Sequence, residues 1–318
     1  MSGFSTATND HLIRSSVWST EVKDVLEHDL MGLGYVRMLS DFPDGDTINI
    51  PSIGTAELQD YDEGQAVRYT AMDTGNFQFS ITDYVSSATF ITNKMKQDTF
   101  YLSEVESAFV PKQSRAIMAR METDMFSKAN AGQTASDPNT INNARHRFVA
   151  AGTNQVITIA DFAKAAHALD MAAVPMQNRI AIVHPSVEFT LNTLTNLVNM
   201  SNNPTWDGVV TTGLKASGMR FSKSVYGFDV YVSQFLPTSI SETVSATAVT
   251  NGAANLFFSA AGDVIPLIGH VRQPPKVDSS YNKDLQRDEY VTTARWGFKL
   301  YRPENMVVCL SDTSRVYS

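Results

Sequence analysis

The sequence predicts an α+β protein, and three observations carry that expectation. Near the end, in "DEYVTTARWGFKLYRPENMVVCL", Tyr290, Ala294, Trp296, Phe298 and Leu300 share one face of an extended chain, with Thr293, Arg295 and Lys299 on the other. This is the period-two pattern of a half-buried strand, and a dozen such residues run about 40 Å. Earlier, Ile117, Met121, Met125 and Phe126 recur at helical spacing. Between these two stretches, short apolar runs alternate with amphipathic ones, a mixed helix-and-strand text.

Bulk numbers bound the rest. The 318 residues suit about two ordinary domains or one elaborate one, and 43% hydrophobic residues supply a core. Lys and Arg total 25 against 33 Asp and Glu, a net charge of −8 with no long basic stripe. That balance suits a chain that sits near nucleic acid without gripping its phosphates. No apolar run fits a signal peptide and nowhere do 18 apolar residues follow one another, so the expectation is a soluble chain made in the cytoplasm, with no membrane partner. The one cysteine, Cys309, lies in the apolar run Met306 to Leu310 and reads as a small buried hydrophobe.

Residues 1–43 read as an arm with one helix, capped by Ser19 and carried by Val22, Val25, Leu26 and Leu30 until Gly32 and Gly34. Residues 44–75 change character: Ile48 and Ile50 alternate, a polar acidic middle follows, then Val67 and Tyr69. A long hairpin fits this stretch, and an isolated two-stranded hairpin is marginal in water, so it calls for a partner surface. "NFQFSITDYVSSATFI" predicts strands with Phe77, Phe79 and Ile81 on one face. A helix is expected from about Pro111, tolerated in a first turn, to Gly132, with Glu122 and Lys128 outside its methionine-rich stripe. Core or subunit packing is preferred for that stripe over a plastic binding groove.

Residues 133–157 read as a polar loop, and its basic cluster Arg145, His146, Arg147 as solvated rather than a nucleic-acid contact. Thr158 and Asp161 form a capping-box-like start for a helix carried by Phe162, Ala165, Leu169 and Ala172 to Pro175. "RIAIVHP" predicts a buried strand and "PSVEFTLNTL" a helix with Pro185 at its first position. A strand at Gly227 to Pro237, a small-residue loop "TSISETVSATAVTNGAA", the run "NLFFSAAGDVIPLIGHV" and a return through "RQPPKVDSSYNKDLQ" complete the chain. No fixed internal period appears, which argues against a solenoid or propeller.

Catalysis finds no foothold. There is no G-x-S-x-G, H-E-x-x-H or C-x-x-C, and "GVVTTGLK" fails as a phosphate loop because Lys does not follow the second Gly. The six histidines are scattered without metal-ligand spacing, so neither a metal nor any other cofactor is expected. Asp60, Asp62 and Glu63 lack the regular positions and glycine of a calcium loop; a solvated acidic tip, or a charge contact with a partner, is the stronger reading.

Taken in order, "SSVWSTEV", "GDTINIPSIG" with its "DYDEG" hairpin, "FQFSITDYV", the helix ending at "MFSKANAG", "RIAIVHPSVEFTLN", "GFDVYVSQFLP", "LIGHV" and "WGFKLYRPENMVV" resemble the major capsid proteins of tailed bacteriophages, the Hong Kong 97-like fold. The resemblance implies an N-terminal arm (1–43), an extended loop (44–75), a discontinuous peripheral domain (76–157 and 285–318) with a spine helix at about 111–131, and an axial domain (158–284). The long final strand then pairs with early strands around Phe77 to Phe90. The implied function is self-assembly, as hexamers and pentamers, into an icosahedral shell around packaged DNA bound without sequence specificity, in the virion. Implied partners are a portal, a decoration protein and a scaffold; the scaffold is expected as a separate chain, because the loop begins about 43 residues after Met1.

Contact residues expected between subunits are Asp60, Asp62 and Glu63 of the loop, facing Lys94, Lys96, Arg115 and Arg120 of a neighbour, with Arg68 of the loop a further contact residue. Covalently cross-linked relatives join a loop lysine to a neighbour's asparagine, but between Lys23 and Lys94 this chain has only arginine and His28 as basic side chains. Arginine stays protonated and is no nucleophile, so the shell is expected to be non-covalent. Two rivals remain: an encapsulin-type nanocompartment shell of the same fold, and an α/β enzyme using His184.

Overall fold

The computed structural model describes residues 32–40, 45, 47–54, 60, 63, 74–98, 102–193 and 220–314. The expected arm helix, and Val67 and Tyr69 of the hairpin, lie outside these residues.

In chain order, a 3-10 turn at Gly32–Tyr35 leads to β1 (Val36–Met38), β2 (Thr47–Ile53), β3 (Thr74–Ser80) and β4 (Asp83–Thr92). Two helices follow, α1 (Asn93–Asp98) and α2 (Leu102–Ala131). The next stretch holds β5 (Thr140–Ile141), β6 (Ala144–Arg145), β7 (Arg147–Val149), α3 (Ile159–Met171), β8 (Arg179–Val183) and α4 (Pro185–Thr193). The remainder is strand: β9 (Arg220–Val225), β10 (Phe228–Val232), β11 (Ile240–Val244), β12 (Thr247–Ser259), β13 (Leu267–Asn282), β14 (Arg287–Leu300) and β15 (Val307–Asp312).

Two larger sheets organise most of these strands, and β2–β3 and β5–β6 form two-stranded sheets of their own. A long sheet runs β1-β13-β14-β4, with β13 and β14 antiparallel from Leu267↔Leu300 to Asn282↔Arg287, and β4 paired along β14 from Asp83↔Trp296 to Thr92↔Arg287. The final long strand therefore does pair with an early one. Its even-numbered face, Tyr290, Thr292, Ala294, Trp296, Phe298 and Leu300, is buried. Ile117, Met121, Met125 and Phe126 of α2, the expected stripe, are buried with Ala294, Trp296, Phe298 and Leu300 in one core. Gly132 ends α2 where its backbone meets the Leu300 side chain; a Cβ there would occupy the space of Leu300 Cβ.

The second sheet runs β7-β15-β12-β8-β10-β9, with β11 added to β12. One face, with Ala181, Val183, Phe257, Val307 and Cys309, packs with Phe162, Ala165 and Leu169 of α3 and Val187 and Leu191 of α4. The other, with Ile182, Leu256, Phe258, Val308 and Leu310, joins the core beneath α2 and β14. Strands covered on both faces need no alternation, which is why all five residues of β8 are buried. The capping box of α3 is present, Asp161 Oδ2 accepting from the Thr158 N–H at 2.9 Å, and α4 begins at Pro185 as expected. Buried Asn255 holds three strands together: it donates to Cys309 O (3.0 Å) and Ser311 Oγ (2.8 Å) and accepts from the His184 N–H (3.0 Å).

Several expectations are corrected. The spine helix starts at Leu102, ahead of Pro111, so the proline lies inside it. The small-residue loop is a hairpin: β11 and β12 pair antiparallel around Ser245 and Ala246, which take φ of 48° and 69°. Positive φ at both central residues matches the twist of the flanking strands, and the β-branched residues between the small ones suit a ladder. The return stretch "RQPPKVDSSYN" is strand within β13, and its prolines fall where the register slips, between Gln273 and Lys276. There β1, which reaches only Leu267–Gly269, no longer flanks the strand, so the missing N–H groups interrupt no ladder on that side.

The loop-like 133–157 carries β5 to β7. Glu122, expected outside, is half-buried, and burial pushes its carboxyl up to about 6. Sheet membership also divides the chain differently from the expected segments: β13 within 158–284 belongs to the long sheet, while β7 and β15 from the flanking segments belong to the second one.

Candidate functional site

The features that bear on function are surfaces, and the first is a ribbon. β2 and β3 pair antiparallel from Thr47↔Ser80 to Ile53↔Thr74 and, among the described residues, with no other strand. Only the base is anchored. Phe79 is fully buried with Ile81 and Ile268, and Ile50, Phe77 and Tyr301 pack against them. Lys299 Nζ donates to Gln78 O at 2.7 Å and sits 4.8 Å from the centre of the Phe77 ring. Further along the chain, Gly54, Asp60 and Glu63 are exposed.

The second surface is the uncovered face of the long sheet. Opposite the α2 side, Val291, Thr293 and Arg295 are only half-buried, and across β4 the side chains of Tyr84 (62%) and Phe90 (55%) stand exposed. Arg287 lies 4.5 Å from the centre of the Phe90 ring. β4 is also an edge strand, its outer side unpaired by any described strand. A ten-residue edge without proline or lysine is a template for pairing unless something covers it.

The predicted contact residues fall into three groups. Asp60 and Glu63 are exposed, as are Lys94 and Arg115 on the strand-to-helix side. Lys96 and Arg120 are engaged within their own chain: Lys96 forms an ion pair with buried Asp288, and Arg120 Nε reaches Asp124 Oδ1 at 3.2 Å, one turn along α2. Asp62 and Arg68 lie outside the described residues.

The cluster Arg145, His146, Arg147 divides, because only Arg145 is solvated. Arg147 is 1% exposed and clamps Glu242 with Nη2 at 2.8 Å from Oε1 and Nε at 3.1 Å from Oε2, while Nη1 donates to Asn130 Oδ1 at 3.0 Å. The end of α2, β7 and β11 thus meet at one guanidinium. Burial also lowers the pKa of His146 beside it. Nothing in the sequence marks Glu242, 95 residues away, as the partner.

His184, the residue on which the enzyme rival rests, holds a helix end. The His184 ring caps α4: Nδ1 accepts from the Ser186 N–H at 3.3 Å and lies 2.9 Å from Ser186 Oγ, and burial lowers its pKa. The chain from His184 to Ser186 leaves no carboxylate among its hydrogen-bond partners. No group of His, Cys, Asp and Glu among the described residues is placed to hold a metal ion. Cys309 is fully buried, and burial raises its thiol pKa well above the ordinary value.

Among the described residues, a long sheet with Tyr84 and Phe90 exposed on one face and a ribbon paired with no other strand are surfaces suited to contact with a neighbour. The family model described as phage capsid protein matches residues 76–309, well over half of the chain. The chain belongs to the phage capsid protein family. It is a structural, major capsid protein of the viral shell, and its place is the capsid of the virion. No curated protein matches it.

Among solved structures, it is similar to the capsid of the cyanophage P-SCSP1u, with a TM-score of 0.64 at 17% identity over 90% of this chain and 88% of that one. The mature capsid of bacteriophage PhiM1 matches with a TM-score of 0.60 at 13% identity, covering 88% and 86%. A virus-like particle from Pyrococcus furiosus matches at 0.51 and 9% identity, covering 92% and 98%. At such identities these likenesses speak for the fold, and they agree with the Hong Kong 97-like architecture.

Proposed function

We propose that many copies of this capsid protein close, as hexamers and pentamers, into an icosahedral shell that encloses packaged double-stranded DNA of a tailed bacteriophage, held by non-covalent contacts. The observation that supports this reading is the ribbon β2–β3: it pairs with no other described strand, and two strands alone are marginal in water, so its stability is completed by a neighbour. Asp60, Asp62 and Glu63 then face Lys94 and Arg115 of the adjoining copy, with Lys96 and Arg120 contributing only if their in-chain pairs with Asp288 and Asp124 are shared. A net charge of −8 keeps the wall from gripping the genome's phosphates. Scaffold, portal and decoration chains complete the particle. The absence of lysine between Lys23 and Lys94 leaves the loop without an amine for cross-linking.

Deleting residues 55–65 tests the reading. The expected product is soluble, folded protein that forms no closed shells by electron microscopy, and normal particles would refute the role of the ribbon. Intact particles boiled in detergent should run as one band near 35.0 kDa; a ladder surviving reductant would refute the non-covalent shell. Particles filled with a protein cargo and free of DNA would return the assignment to a nanocompartment shell.

A further inference from the structure

A depression of about 640 Å³ opens beside β7, at the end of the second sheet away from β9. It lies between the β7 strand, the turn joining β11 to β12, and α3. Among its described lining residues the ionisable ones are basic: Arg145, Lys164 and His167. Arg145 is exposed; Lys164 reaches buried Asp161 at 3.1 Å, so part of its charge is already offset. Phe148 and Val244 line the apolar part, with Lys164 Nζ 5.8 Å from the centre of the Phe148 ring. We propose that this depression is a docking site where a second protein adds an extended, acidic segment as a strand beside β7.

The backbone supplies the second argument. β7 lies parallel to β15, and the Val308 N–H donates to His146 O at 2.8 Å while the Ala150 N–H donates to Leu310 O at 2.9 Å. In a parallel ladder alternate residues bond to one side, so 146, 148 and 150 serve β15, and Arg147 and Val149 turn their backbone groups outward. The Arg147 N–H is taken by Pro138 O at 2.9 Å and the Ala151 N–H by Asp161 Oδ2 at 3.1 Å, whereas the Val149 N–H and C=O between them meet no partner among the described residues. An edge with unpaired groups takes an added strand through main-chain bonds, while flanking pockets select its side chains. Here an apolar floor and a basic rim without any carboxylate select alternating apolar and acidic side chains. The acidic tip at Asp60 to Glu63 has its proposed place on a neighbour's strand-to-helix region, which leaves this depression to a chain of different sequence.

The test uses the full-length protein and a labelled hexapeptide of alternating valine and glutamate, read by fluorescence anisotropy. Saturable binding is expected, with Arg145→Glu weakening it about fivefold or more. The valine–lysine counterpart should not bind, and neither should a valine–glutamate peptide N-methylated at alternate residues, which probes strand pairing without altering the protein. Equal binding of the N-methylated peptide, or indifference to Arg145→Glu, would overturn the site. Tighter binding of a peptide copying residues 55–65, or displacement by a short oligothymidylate, would assign the depression to a second copy or to nucleic acid and overturn the proposal. Because the shell itself is tested by deleting residues 55–65, the two readings fail separately.

Discussion

In the second sheet all five residues of β8 are buried, whereas β14 of the long sheet alternates, with Tyr290, Thr292, Ala294 and Trp296 buried and Val291, Thr293 and Arg295 half-buried between them. The second sheet has α3 and α4 on one face and α2 with β14 on the other, so its own chain completes it. Among the described residues, the long sheet is covered on the α2 side, and Tyr84 and Phe90 are exposed on the other. One chain therefore holds a self-sufficient core and a half-finished surface. The difference separates residues that stabilise the subunit from residues available to join subunits.

Substitutions should break that comparison in order of burial. Phe257 is fully buried, edge-on to Phe162 at 5.2 Å and Phe228 at 5.4 Å, and Phe257→Ala should cost about 3–5 kcal/mol and leave little folded subunit in denaturant titrations. Tyr84→Ser on the open face should change subunit stability by less than about 0.5 kcal/mol yet lower the yield of closed shells in sedimentation. A large stability loss at Tyr84 would show that this face is finished within the chain.

Arg147→Met should come next, at about 3 kcal/mol, because it leaves the largely buried Glu242 carboxylate without its guanidinium. The double variant Arg147→Met, Glu242→Leu should recover most of that loss. If it does not, packing around the guanidinium stem, rather than the ion pair, holds β7, β11 and the end of α2 together.

Glu122 sharpens the comparison by pH. Its folded value, about 6 against an ordinary 4.5, favours the neutral form, so its contribution is fully present below about pH 4.5 and is lost as pH rises through about 6. After allowance for its partial exposure, Glu122→Gln should stabilise the subunit by about 1 kcal/mol at pH 7.5 and by almost nothing at pH 4. A gain equal at both values would mean that the carboxyl is not desolvated.

The smallest effect per copy belongs to the tip. Reversing Asp60 and Asp62 together should leave subunit stability unchanged and impair assembly more at low than at high salt, since exposed pairs are worth about 0–1 kcal/mol each and are screened. Assembly indifferent to both would leave a solvated tip.

Much of this division is legible in the residue text. The period-two run from Asp288 to Leu300, the stripe from Ile117 to Phe126, the Thr158–Asp161 cap and the apolar run Ile180 to Val183 each state a local preference together with what it buries. The misses share a cause. "SETVSATAV" and "QPPKVDSSY" have weak local patterns, and they become strands because a neighbouring strand supplies the ladder: β12 for β11, and β14 for β13. Propensity there is overridden by pairing.

By itself the sequence determined the class, the order of the main elements, the starts of α3 and α4, and that no lysine falls between Lys23 and Lys94, because each follows from residues close together in the chain. Only the tertiary structure decided that Arg147 is a buried clamp and Arg145 a solvated rim, though they are two positions apart, and that β7 and β15 join the sheet of β8 and β12. Whether a charge is solvated or paired depends on what is brought opposite it, and Glu242 reaches Arg147 across 95 residues of chain. Such long-range contacts carry no local signature, since burial and pairing belong to the folded arrangement rather than to any stretch of it.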